Sequence, residues 1–182
     1  MGCVLSTKRD ELEDLIARAE SGDPQAQANL GFYYARADEP EQYSARAAYW
    51  YEKAARSGVA AAQYNLADMY LRGAGVQQSF KQAGFWFEKA AEQGDCDALF
   101  NLAMLHDQGK GVQSSSEKAF ALFSKAAESG STRAMYELAI RYQNGLGTAV
   151  NGELAAFWFS KAAEGGVRRA DEMLQKLKHD VS

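Results

Sequence analysis

Lys-Ala-Ala recurs at Lys53, Lys89, Lys125 and Lys161, a constant step of 36 residues. Leu30, Leu66, Leu102 and Leu138 keep the same step, as do Ala47, Ala83, Ala119 and Ala155, and the aromatics Tyr51, Phe87, Phe123 and Phe159. Four ladders in one register mark a chain built by stacking a supersecondary unit, and a period of this size belongs to solenoid architectures. The chain can therefore bury a core only through contacts between successive units.

Each unit reads as two helices. Ala83, Trp86, Phe87, Ala90 and Ala91 fall at i, i+3, i+4, i+7 and i+8, one stripe of a helical surface. Ala62, Leu66, Ala67 and Tyr70 do the same for the helix before it, and strand-like alternation is absent. Asp23, Asp95 and Ser131 stand where first helices need an N-cap, with Pro24 at a position that tolerates a missing N–H. Ser79, Ser115 and Asn151 hold the same place before second helices, and Ser79 with Gln82 matches a capping box. Gly58, Gly94, Gly130 and Gly166 close the second helices. Gly73/Gly75, Gly109/Gly111 and Gly145/Gly147 punctuate the turn within a unit; they follow a helix and lack the surroundings of a phosphate loop, so a tight turn is expected. The first unit has "ARADEPEQYS" there and should have a longer or looser turn.

The expected architecture is all-α: an α/α solenoid of about ten antiparallel-stacked helices. Its segments are a tail and capping helix over 1–22, repeats over 23–58, 59–94, 95–130 and 131–166, and a capping helix and tail over 167–182. Charged residues gather in both terminal half-units, as polar caps require.

The 36-residue unit at "AAAQYNLADMYLRGAGV…KQAGFWFEKAAEQG" resembles the Sel1-like repeat, a relative of the tetratricopeptide repeat. The resemblance covers residues 24–166. It departs from the pattern at the first turn, at His106 where other units have Tyr, and at Leu122 where others have Trp. It implies a right-handed superhelix that acts as an interaction scaffold, in a family that serves complex assembly, signalling and host–microbe contact. Some secreted members carry a disulfide in every repeat; Cys3 and Cys96 cannot supply that pattern.

Composition narrows the function. Net charge is −4, so a nucleic-acid surface is not expected. No stretch approaches a membrane span, and no apolar leader marks secretion, so a cytoplasmic address is expected. His106 and His179 are the only histidines, and no His, Cys or acidic group has metal-ligand spacing. His106 reads as a satisfied half-buried imidazole and Cys96 as a small packed side chain. No catalytic residues, no cofactor and no metal are expected.

The expected activity is binding of another protein by a monomer, through the concave face lined by first helices. Counting outward from the leucine ladder gives three rows. One is Ala28, Tyr64, Phe100 and Tyr136; the second is Phe32, Asp68, Met104 and Ile140; the third is Leu71, Asp107 and Gln143. The first row has an alternative reading as packing between adjacent units. Asn29, Asn65 and Asn101 form a further ladder, read as structural groups that satisfy turn carbonyls, with a clamp on a peptide backbone as the alternative. An immunity protein or a host-targeted effector would use the same surface; a hydrolase is the alternative from another class. "MGCVLS" matches the N-myristoylation pattern at Gly2, with Cys3 available for palmitate, and acylation there would add a membrane.

Overall fold

The computed structural model describes residues 8–36 and 40–180. Among them are ten α-helices and no strands: α1 Lys8–Glu20, α2 Pro24–Ala35, α3 Pro40–Arg56, α4 Ala60–Arg72, α5 Phe80–Glu92, α6 Cys96–Gln108, α7 Ser116–Glu128, α8 Thr132–Asn144, α9 Gly152–Glu164 and α10 Arg168–Asp180. Internal packing divides the chain into two compact units, residues 1–89 and 90–182. In the first, α1 packs on α2, α2 on α3 and α3 on α4; in the second, α6 packs on α7, α7 on α8, α8 on α9 and α9 on α10.

The ends of the helices follow from capping chemistry. Asp23 accepts from the Gln25 and Ala26 N–H groups at 2.9 and 3.2 Å, and Asp95 from Ala98 at 2.8 Å. Ser115, Ser131 and Asn151 cap through Lys118, Ala134 and Leu154. Gln82 N–H donates to Ser79 Oγ, the half of a capping box that fixes the start of α5. Val59 caps α4 without a side-chain bond.

The paired glycines have a second role beyond their left-handed φ. Gly73, Gly109 and Gly145 end first helices at φ between +64° and +76°. The second glycine of the pair lies against backbone. A Cβ on Gly75 would overlap the Ser44 carbonyl and come within 2.6 Å of Ala45 N; one on Gly147 would overlap the Ser116 carbonyl. Each of these turns is thereby seated on the preceding repeat's second helix, at the first residues of α7 and just past the first turn of α3.

In the first repeat the two helices are closer in sequence than expected. α2 ends at Ala35 and α3 begins at Pro40, a turn earlier than its counterparts, so α3 runs 17 residues against 13 for α5, α7 and α9. Pro40 at the first helical position explains this, because its fixed φ suits N1. The longer turn expected there is therefore corrected; residues 37–39 lie outside the described residues.

The cores are alanine-rich layers filled by one aromatic per repeat. In the first unit Ala47, Ala54, Ala62 and Leu66 surround Tyr51, while Ala19, Ala26 and Leu30 join α1 to α2. In the second, Phe123 lies among Ala103, Ala119 and Leu138, and Phe159 among Ala139, Ala155 and Ala170. Phe87, Phe123 and Phe159 are fully buried, each contributing about 2 kcal/mol by transfer from water. Two buried amides lock first helices onto the second helix before them: Gln27 Nε2 donates to the Ala19 carbonyl and Gln63 Nε2 to the Ala55 carbonyl, both at 3.1 Å.

Candidate protein-interaction surface

The first of the three rows turns inward. Tyr64 meets Phe87 at a ring separation of 5.7 Å, Phe100 meets Phe123 at 5.4 Å and Tyr136 meets Phe159 at 5.6 Å. Ala28 and Phe100 are each only 6% exposed, and the Arg133 guanidinium covers Phe100 at 4.1 Å. The expectation that Phe100 offers a contact surface is corrected: it stands four residues before Met104 and one turn inside it, facing the neighbouring second helix. Tyr64 and Tyr136 are half-buried in the same role.

The second row opens to solvent at its start. Phe32 on α2 is 51% exposed, with the Arg36 guanidinium 5.2 Å from the ring centroid, and Tyr33 beside it is also exposed. Asp68 on α4 is paired with Arg72 at 3.0 Å, and Leu71 is half-buried. In the second unit Met104 and Ile140 are half-buried, as is Gln143.

Asp107 is engaged within the chain. Its Oδ1 lies 2.6 Å from Nη2 of Arg141, an arginine buried to 2% exposure. The same guanidinium stacks on Phe123 at 4.7 Å, and its Nη1 reaches the Leu146 carbonyl at 3.5 Å. Its Nε has no hydrogen-bond partner. Glu137, one turn earlier on α8, has its carboxyl pushed above the usual range, chiefly by burial; Asp107 adds to the rise, while Arg141 and Arg133 oppose it. Sequence reading missed Arg141. The signal was its ladder: Tyr33, Met69 and Leu105 occupy the equivalent positions, so an arginine there sits in an apolar slot.

Other singled-out groups have structural partners. His106 Nδ1 lies 2.9 Å from the Gln113 carbonyl, which makes Nδ1 the protonated nitrogen, and the ring is half-buried as expected. Cys96 Sγ points at the Gly94 and Ser129 carbonyls at 3.8 and 3.7 Å. Asn29 accepts from Gln25 at 3.1 Å. A shallow depression on α3 is lined by Tyr49, Glu52, Lys53 and Arg56. Its charges are occupied: Arg56 pairs with Glu52 at 2.6 Å, and Lys53 lies over the Tyr49 and Trp50 rings. Among the described residues no group of three or more His, Cys, Asp or Glu side chains could hold a metal, and no helix is long and apolar enough to cross a membrane. Gly2, Cys3 and the His179 side chain lie outside the described residues.

Short helices paired in sequence and sealed by a repeating glycine turn define an α/α solenoid. The Sel1 repeat model matches residues 24–59, 60–95, 96–131 and 132–167, and the chain belongs to that family. Such proteins generally mediate protein–protein interaction as non-catalytic scaffolds. The chain is 34% identical to c5321, a protective antigen of uropathogenic Escherichia coli with this repeat fold, at a TM-score of 0.82 over 87% of this chain. It spans about a third of that protein's length, 34%. A Sel1 repeat protein from Oxalobacter formigenes is 30% identical, with TM-score 0.84, over 92% of this chain and 69% of the other. Helicobacter pylori cysteine-rich protein B shares the fold at 22% identity, with TM-score 0.53, over 70% of this chain and 95% of the other. Among curated protein sequences none matches.

Proposed function

We propose that this chain is a cytoplasmic, non-enzymatic adaptor that binds a segment of another protein through the exposed faces of its first helices. The observation that carries the reading is Phe32. A half-exposed phenylalanine ring capped by a guanidinium, with an exposed tyrosine next to it, is apolar surface without a structural task. Asp68 and Leu71 supply the rest of the contact in the first unit from half-buried positions; Met104, Ile140 and Gln143 are the half-buried candidate positions on the first helices of the second unit, taken by itself. Aromatic and arginine side chains are the types that dominate binding energy at protein interfaces.

The test compares the full chain with Phe32→Ser and with a Phe32/Met104/Ile140 serine variant as baits in native lysate, with thermal melting measured separately. Selective loss of one captured protein at unchanged melting supports the reading. Equal capture by all three baits moves the contact elsewhere. N-terminal acylation at Gly2 and Cys3 is an accompanying proposal that would bring the adaptor to a membrane, and acyl mass on Gly2 after expression in a eukaryotic host tests it.

A second reading, in which the partner belongs to a host cell, draws support from the likeness to part of a protective antigen. Binding to host-cell extract but not to lysate of the producing cell distinguishes it.

A further inference from the structure

Four of the exposed large apolar side chains lie close together in sequence, from the turn after α8 into the first half of α9 in the fourth repeat: Leu146, Val150, Leu154 and Phe157. Val150 is 68% exposed and Phe157 50%. The second and third repeats place Ala74 and Lys110 at the position of Leu146, Gln78 and Ser114 at that of Val150, and Gln82 and Lys118 at that of Leu154. The fourth repeat has thus made apolar what its predecessors keep small or polar. Leu154 and Phe157 are three apart on α9 and share a face. Val150 precedes that face immediately before the N-cap Asn151, and packs toward Gly145, where a Cβ would meet it at 3.0 Å.

The charges on this face select the occupant. Glu153 and Lys161 stand one turn before and one turn after Phe157, all three exposed on the same side of α9. Glu153 forms no ion pair or hydrogen bond among the described residues. Lys161 has only an exposed pairing with Glu164 at 3.0 Å, of a kind worth little in water. When two copies of one helix cross antiparallel about a two-fold axis at Phe157, Glu153 of each faces Lys161 of the other, because an isologous contact pairs residue i with j and j with i. We propose that this face of α9 is a self-association surface, and that its occupant is a second copy of the chain, docked antiparallel with Phe157 on the two-fold axis.

The other second helices give the contrast. Phe85 on α5 is exposed like Phe157, but Lys81 and Lys89 flank it and would repel in the same arrangement. Tyr49 on α3 has Ala45 and Lys53, and α7 has the opposite charges Glu117 and Lys125 around Ala121, which offers no ring. Exposed aromatic, apolar extension and self-complementary charge coincide on α9 alone among these four helices. The pairing departs from the monomer expected from sequence and uses a second helix rather than the first-helix faces of the adaptor reading.

The test is sedimentation equilibrium of the full chain over about 1–300 μM at low salt, with circular dichroism melting for every variant. The wild type is expected to dimerise within that range. Phe157→Ser is expected to weaken dimerisation at least tenfold with unchanged melting. Glu153→Lys and Lys161→Glu should each weaken it several-fold, and the double charge exchange should restore it. A Phe157→Cys variant in a Cys3→Ser/Cys96→Ser background should oxidise to a covalent dimer, since residues on the axis face each other. A wild type that remains monomeric at 300 μM overturns the proposal. So does a dimer whose strength ignores all three single changes, or charge variants whose double exchange restores nothing; binding of a different protein at this face by the monomer is then the remaining outcome.

Discussion

Nη2 of Arg141 on α8 lies 2.6 Å from Oδ1 of Asp107 on α6, joining two first helices through a guanidinium sealed beneath the surface. Breaking such a pair from the acid side strands a buried charge, a penalty of about 3–5 kcal/mol when both partners are buried. Asp107 is partly open to water, so Asp107→Ala is expected to cost about 2 kcal/mol. Arg141→Leu, which installs the residue of the preceding repeat, should change stability by less than about 1 kcal/mol or raise it. Urea unfolding midpoints of the two variants and their double mutant check this order; a larger loss for Arg141→Leu would contradict it.

Glu137 should make stability fall as pH rises. Its carboxyl is held above the ordinary value of 4.5 in the folded chain, chiefly by burial, so the native state binds more protons than the unfolded one between the unfolded and the folded values. The loss begins as pH climbs past the unfolded value and is complete above the folded one. Glu137→Gln removes it. The variant is expected to be more stable than wild type at pH 7, with the gap closing below about pH 4.5. Thermal melts at several pH values decide the matter, and parallel curves for both proteins would count against it.

Gly31 and Tyr51 are fitted to each other. A Cβ on Gly31 would lie 2.7 Å from the tyrosine ring, while the other repeats pair alanine with phenylalanine at the same two positions. Gly31→Ala gains about 1 kcal/mol in helix propensity but overpacks a rigid ring, at about 1–3 kcal/mol. A net loss is expected, smaller in the Gly31→Ala/Tyr51→Phe double variant to the extent that loss of the hydroxyl lets the ring shift, because the contacting ring carbons remain. Equal losses in the single and double variants would show that the ring does not move. Tyr51, whose phenol is pushed up to about 12 by burial, should stay largely protonated at pH 10 in the folded chain.

The two kinds of turn glycine should respond differently to alanine. A Cβ on Gly94 would meet open space, so Gly94→Ala costs only the left-handed conformation, about 1–2 kcal/mol. At Gly147 the new methyl also collides with the Ser116 backbone, which cannot swing away. Gly147→Ala is expected to lower the melting temperature substantially more than Gly94→Ala; comparable shifts would show that the α7 contact yields.

The 36-residue ladders made the helices, their caps and their order legible, because those depend on local chemistry repeated in register. Rotation of a helix about its axis was less legible. The row containing Tyr64, Phe100 and Tyr136 lies beside the leucine ladder, and only the facing Phe87, Phe123 and Phe159 reveal that it points inward. Arg141 escaped notice because a lone arginine in a helix reads as solvated surface until its three counterparts are compared. Leu146, Val150 and Leu154 needed the same comparison, between repeats rather than along one helix.

Gly75 and Gly147 each press on the N-terminal part of the helix that precedes their own pair. The joint has a socket in one repeat and a plug in the next. An insertion or deletion of a whole number of periods keeps plug and socket in register, whereas one of another length between them pulls them apart. The period is thus the length by which the array can grow or shrink without breaking this joint.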